Sequence, residues 1–201
     1  MAEKTSKILS ILFHPVLVPT MGFFLMLNSG FYFSTISWEI KLYFLLVIFL
    51  STSLLPLFTA AIIALNANFD LLMGKTRNRF VFMLLISVYY YLGYIALNRI
   101  NAFPLFKLFL LALILVIVAL MLISIRWKIS SHMSALGSIT GTLFALSFRL
   151  GVNPLGAILT MIIISGTVGT ALLIIAKHNL WQVILGYFTG FTIMYLVMYF
   201  I

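Results

Sequence analysis

From Leu108 to Ile125 the chain reads LFLLALILVIVALMLISI, an uncharged run interrupted by one hydroxyl. A run of about 18 apolar residues is a membrane-spanning helix, because a hydrocarbon core about 30 Å thick needs roughly 20 residues of α-helix to cross it. Working outward and cutting at charges, Asn, Gly and Pro gives seven candidate segments, near 8–34, 40–66, 80–98, 104–125, 131–150, 154–176 and 179–201. Of the 201 residues, 64% are hydrophobic and 7% charged, and the mean hydropathy is +1.25. A soluble domain carries about 25% charged residues to face water, so a soluble globule is excluded, as are a disordered chain, a coiled coil and a nucleic-acid-binding domain. The expectation is an all-α polytopic membrane protein, one transmembrane domain over 1–201, built as a bundle of six or seven helices. His14-Pro15 and Pro19 interrupt the first segment, which is expected to be retained and to be split or re-entrant.

The twelve basic and three acidic residues give a net charge of +9. They are sparse and sit between apolar runs, where they anchor loops against anionic headgroups. With seven crossings, Lys4, Lys7, Lys75, Arg77, Arg79, Arg126, Lys128 and Lys177 share one side, and Lys41, Arg99, Lys107 and Arg149 the other. Eight against four puts the N-terminus and the first set inside. The expected location is a bacterial inner (cytoplasmic) membrane. Without cysteine there is no disulfide, thiolate site or iron–sulfur cluster.

Gly137 and Gly141, and Gly186 and Gly190, are spaced as small-xxx-small pairs, which let helix backbones approach closely. Gly166, Gly169 and Thr170 line the sixth segment. Tyr89, Tyr90 and Tyr91 are expected to pack rather than to form a cofactor platform.

Ionisable groups at membrane depth are costly, so their distribution carries information. Glu3, Glu39 and Asp70 all fall outside the apolar segments, which excludes carboxylate relays, di-metal carboxylate sites and paired-carboxylate hydrolysis. Three His and three scattered acids offer no metal-ligand spacing, and no cofactor is expected. Basic and imidazole groups instead gather at three junctions on one face: Lys75 to Arg79, Arg126 to His132, and Lys177-His178 with Gln182 one turn later. Hydroxyls or an imidazole at a helix N-terminus favour an anion. Two readings fit this gathering: positive-inside anchoring with two interfacial histidines, or a phosphate or diphosphate site.

Ser130-Ser131-His132 opens a helix rich in small residues. The stretch from His178 through Gln182, Val183 and Gly186 to Gly190 has the pattern H-x-x-x-Q-V-x-x-G-x-x-x-G. Together these resemble the second and third motifs of the type-2 phosphatidic acid phosphatase superfamily, written P-S-G-H and H-x-x-x-D-V-x-x-G-x-x-x-G. The resemblance covers about residues 126–190; over the first half, Lys75 and Arg79 are a loose echo of the first motif. It implies that the helices form that family's core and that the chemistry needs no metal. By resemblance His178 is the nucleophile forming a phosphohistidine, and His132 the acid that protonates the leaving oxygen. Lys75, Arg79, Arg126, Lys128, Ser130 and Ser131 would hold phosphate oxygens, and Gln182 would orient His178. The implied partners are membrane lipids, specifically the phosphorylated headgroup of a lipid phosphate or polyprenyl diphosphate, and not nucleic acid.

Two departures stand out. Gln182 occupies the position of the family's Asp, and Leu172 that of a phosphate-binding Arg. They point to the alternative of an inactive relative that binds a phospholipid headgroup or serves as a subunit of a larger membrane complex. Under either alternative His132 and His178 are expected to share one polar cavity, with Gln182 against His178 and at least two of Lys75, Arg79, Arg126 and Lys128 admitted.

Overall fold

The computed structural model describes residues 2–64 and 76–201, with the backbone alone for residues 2, 64 and 76–79. The described residues are helical and contain no strand. In chain order the helices are α1 (Ala2–Leu12), α2 (Val18–Asn28), α3 (Trp38–Phe49), α4 (Leu55–Ala64), α5 (Thr76–Arg99), α6 (Pro104–Arg126), α7 (Ser131–Leu150), α8 (Leu155–Ile174) and α9 (Leu180–Phe200). A π-helical turn at Leu50–Leu54 joins α3 to α4 in one rod. Among the described residues six helices are long and apolar enough to cross a membrane, Trp38–Ile63 being the first. The chain is therefore an integral membrane protein.

Local chemistry sets the ends of these helices. Pro104 starts α6, where a missing N–H costs nothing. Ser130 caps α7 by accepting the Met133 N–H at 3.4 Å, and Gly151 closes that helix at φ 63°. Asn179 and Gln182 form a reciprocal capping box at the start of α9.

The expected first segment, 8–34, is not one helix. It breaks at His14-Pro15 into α1 and α2, and α2 has only 11 residues, about 16 Å at 1.5 Å each. The broken chain still runs the length of the bundle. His14 lies against His132 at the start of α7, with ring centroids 5.6 Å apart. Phe33 lies against Phe103, just before α6, at 6.0 Å. Since α6 and α7 are consecutive and joined by a short loop, these contacts lie at opposite ends.

Broken backbone at membrane depth must find its partners inside the protein, and the π turn supplies them. Its buried Ser51, Thr52 and Ser53 face inward. Ser53 Oγ donates to the Val16 carbonyl at 2.9 Å, and the Thr20 hydroxyl bonds those of Thr52 at 2.9 Å and Ser53 at 2.8 Å.

Helix α7 is the axis of the bundle and packs against α9 in parallel. A Cβ built on Gly137 would meet the Tyr187 carbonyl, and one on Gly141 that of Phe191. From the other side, Gly190 faces the Ser134 carbonyl, and a Cβ on Gly186 would lie 2.7 Å from the Ser130 carbonyl. The two small-xxx-small pairs thus face each other backbone to backbone. A hydrogen bond from the Ser130 N–H to the Gln182 carbonyl at 3.3 Å fixes the register. Far from this joint, Phe106 collects Phe23, Phe33 and Phe44 with ring centroids 4.8 to 5.2 Å away. Lys41 is buried there, its ammonium donating to Asn28 Oδ1 at 3.2 Å and to the Ser34 carbonyl at 3.1 Å.

Candidate functional site

The glycine-locked joint brings the first residues of α7 and α9 to one end of the bundle, and with them His132 and His178. His132 is buried. Lys177, His14 and His178 all lie within electrostatic range of it.

The two imidazoles are held differently. His178 Nδ1 is 3.2 Å from Gln182 Oε1, and the same oxygen accepts the Asn179 N–H at 3.1 Å. That backbone N–H requires an acceptor, so the Gln182 oxygen faces this way and His178 carries its proton on Nδ1. The ring's lone pair is then on Nε2. His132 Nε2 lies 3.2 Å from the Ser10 carbonyl and 3.4 Å from the Ser10 hydroxyl. A carbonyl only accepts, so His132 carries its proton on Nε2 and donates it to α1.

Cations complete the cluster. Lys128 Nζ donates to the Lys177 carbonyl at 3.5 Å. Partial burial, and then the charge of Lys128, lower the pKa of the Lys177 ammonium. Among the described residues no group of three His, Asp or Glu could hold a metal ion. The described acid nearest in sequence, Glu3, is paired with Lys7 at 2.8 Å. A donor-rich, acid-poor cluster of this kind favours an anion.

The structure distributes the expected site residues unevenly. His178 bonds Gln182 and lies within electrostatic range of His132, and Lys128 reaches the Lys177 carbonyl. Ser131 is half-buried and lines a cavity with His14. Ser130 is fully buried, its hydroxyl committed to the α7 cap and its N–H to Gln182, so it holds the helices rather than lining the site. Arg126 is exposed in the last turn of α6. Lys75 lies outside the described residues, as does the side chain of Arg79, whose backbone is in the first turn of α5. Leu172 is wholly buried.

His14 and Lys177 also belong to the cluster; the sequence placed Lys177 at the third basic junction without giving it a phosphate contact, and did not single out His14. His14 sits in the break between α1 and α2, its Nδ1 accepting the Val16 N–H at 3.4 Å. Burial, and then the charge of Lys177, lower its pKa. Its one signal in sequence was a His-Pro pair interrupting an apolar run. Lys177 is delivered by a turn in which its N–H reaches the Leu172 carbonyl at 3.2 Å and that of Ala176 reaches Leu173 at 3.0 Å. This is a Schellman motif with Ala176 at φ 50° in the position usually held by Gly.

No family model, curated protein or solved structure matches the chain.

Proposed function

We propose that this chain is a divergent relative of the type-2 phosphatidic acid phosphatases. It takes the phosphate of a lipid phosphate or polyprenyl diphosphate between His132 and His178, at the cytoplasmic ends of α7 and α9, and hydrolyses it. The observation that carries the reading is the Gln182–His178 contact, which sets the tautomer that puts the ring's lone pair on Nε2, in a ring within electrostatic range of a second imidazole. In this reaction His132 first takes up a second proton and is the imidazolium. His178 Nε2 attacks phosphorus, the bond to the leaving oxygen breaks, and His132 gives that oxygen its proton and becomes neutral. Water then attacks the phosphohistidine, neutral His132 takes the water's proton, phosphate leaves, and both rings return to their starting state. Lys128 and Lys177 balance the charge on the phosphate oxygens. Turnover is slow, since an amide replaces the family's carboxylate and Leu172 replaces its Arg. Losing one such contact costs about 3 kcal/mol.

One observation favours a second reading, in which the site binds a headgroup without turning it over, alone or as a subunit of a membrane complex. The one proton that His132 carries is held by the Ser10 carbonyl, so the ring can serve as an acid only after taking up a second proton on Nδ1. The purified protein, offered a panel of lipid phosphates and polyprenyl diphosphates, should release phosphate and lose that release in His178→Ala. Binding without release would favour the second reading. Release that survives His178→Ala would remove the proposed mechanism.

A further inference from the structure

A half-open, largely apolar space adjoins the imidazole cluster. It has a volume of about 250 Å³ and is bounded by α5, α6, α7 and the break between α1 and α2. His14 and Ser131 line its polar end. On every wall the lining then runs into the bilayer: from Phe82 to Tyr90 on α5, from Leu120 back to Leu113 on α6, and from Ser131 past Ala135 to Ser138 on α7. Seven or eight helical steps of about 1.5 Å each make a shaft about 10–12 Å deep, roughly a third of the hydrocarbon thickness.

Ser138 adds little polarity, since its hydroxyl already donates to the Ser134 carbonyl at 2.8 Å. Apolar cavities stay dry and take apolar guests, and in a membrane protein the guest at hand is a hydrocarbon chain. The volume falls below the ~300–1,000 Å³ of sites that enclose a whole small ligand. The shaft therefore fits part of a single chain.

We propose that this shaft holds the first stretch of one alkyl or prenyl chain of a lipid phosphate whose headgroup lies on His132 and His178. What sits at its mouth rests on the function proposed above; the chain rests on the shape and chemistry of the shaft. A one-chain phosphate then fits directly, and a two-chain lipid leaves its second chain outside.

The test is photolabelling of the full chain in detergent with an octyl phosphate and a prenyl phosphate, each carrying a diazirine at the chain end. Labelled residues are read by mass spectrometry. The result expected is labelling of Ile86, Tyr90 or Leu113 in preference to the lipid-exposed Leu122, Phe148 and Ile163. The chain type that labels the shaft more strongly identifies the tail. Ala135→Phe fills the shaft and should lower its labelling on the order of tenfold, the factor carried by about two excluded methylenes. If that variant fails to fold, Leu113→Ala deepens the shaft instead and should move the label of a decyl probe further along α5. Labelling confined to exposed residues, or unchanged by a folded Ala135→Phe, would overturn the proposal. An octyl alcohol carrying the same diazirine separates the two ideas. If it labels the shaft as well as the phosphate does, and His178→Ala changes neither, the chain site stands and the headgroup reading falls.

Discussion

The amide oxygen of Gln182 lies 3.2 Å from His178 Nδ1 and 3.1 Å from the Asn179 N–H. One acceptor therefore caps helix α9 and fixes the tautomer of the imidazole that precedes it. Glutamine and glutamate both serve at this position of a capping box, so the charge beside His178 can be changed while the cap is kept.

Gln182→Glu should therefore raise phosphate release, on the order of tenfold, because a carboxylate stabilises the imidazolium that forms at a nucleophilic or basic histidine. Gln182→Leu should reduce it below the parent. Initial rates with one lipid phosphate at fixed detergent check both; equal rates in all three proteins would remove Gln182 from the mechanism.

The α7–α9 joint should be intolerant of a single methyl group. Gly190→Ala, where backbone leaves no room, should destabilise the protein by about 1–3 kcal/mol, the cost of overpacking a close-packed interior. Gly166 meets nothing within 4 Å, and Gly166→Ala should be neutral or stabilising by up to about 1 kcal/mol through helix propensity. Thermal unfolding midpoints in one detergent compare the two.

Ala176→Gly should stabilise the turn before His178. Holding an L-residue in the left-handed region costs about 1–2 kcal/mol, which glycine avoids. Asn101, at φ 51° in the equivalent turn after α5, tolerates that region better, so Asn101→Gly should gain less. The ranking of the two unfolding midpoints is the check.

Acid should weaken the fold through His14. Its pKa is lowered in the folded state by burial and by Lys177, so below the ordinary histidine value of about 6.5 the unfolded chain takes up the proton first. Stability then declines as pH falls through that value and stops declining only below the lowered one. In His14→Gln, unfolding midpoints measured down this range should fall less steeply than in the parent.

The long apolar segments were legible because a bilayer demands about 20 apolar residues in a row, and the described helices α6 to α9 begin and end within about two residues of the expected bounds. The glycine pairs were legible as packing surfaces, and the four-residue spacing of His178 and Gln182 already made their contact available. What sequence did not carry is contact between distant segments. Nothing local marks His14 as a neighbour of His132, since the pairing depends on the break before Pro15 and on hydroxyls from the π turn 37 residues away. Ser131 and Ser130 look equivalent in sequence, yet one helical step turns the first toward a cavity and buries the second in the joint. The left-handed Ala176 was illegible for a related reason: alanine has no local preference for that conformation, and the turn imposes it.

The proposed function requires that His132 and His178 form one phosphate site. Nitrogen-15 resonances of the three imidazoles, followed while inorganic phosphate is added to the protein in detergent, test it most directly. His132 and His178 should shift together with one dissociation constant, His14 should follow them, and Lys128→Ala should weaken all three responses in parallel. Resonances that do not move, or that move with separate constants, would contradict it.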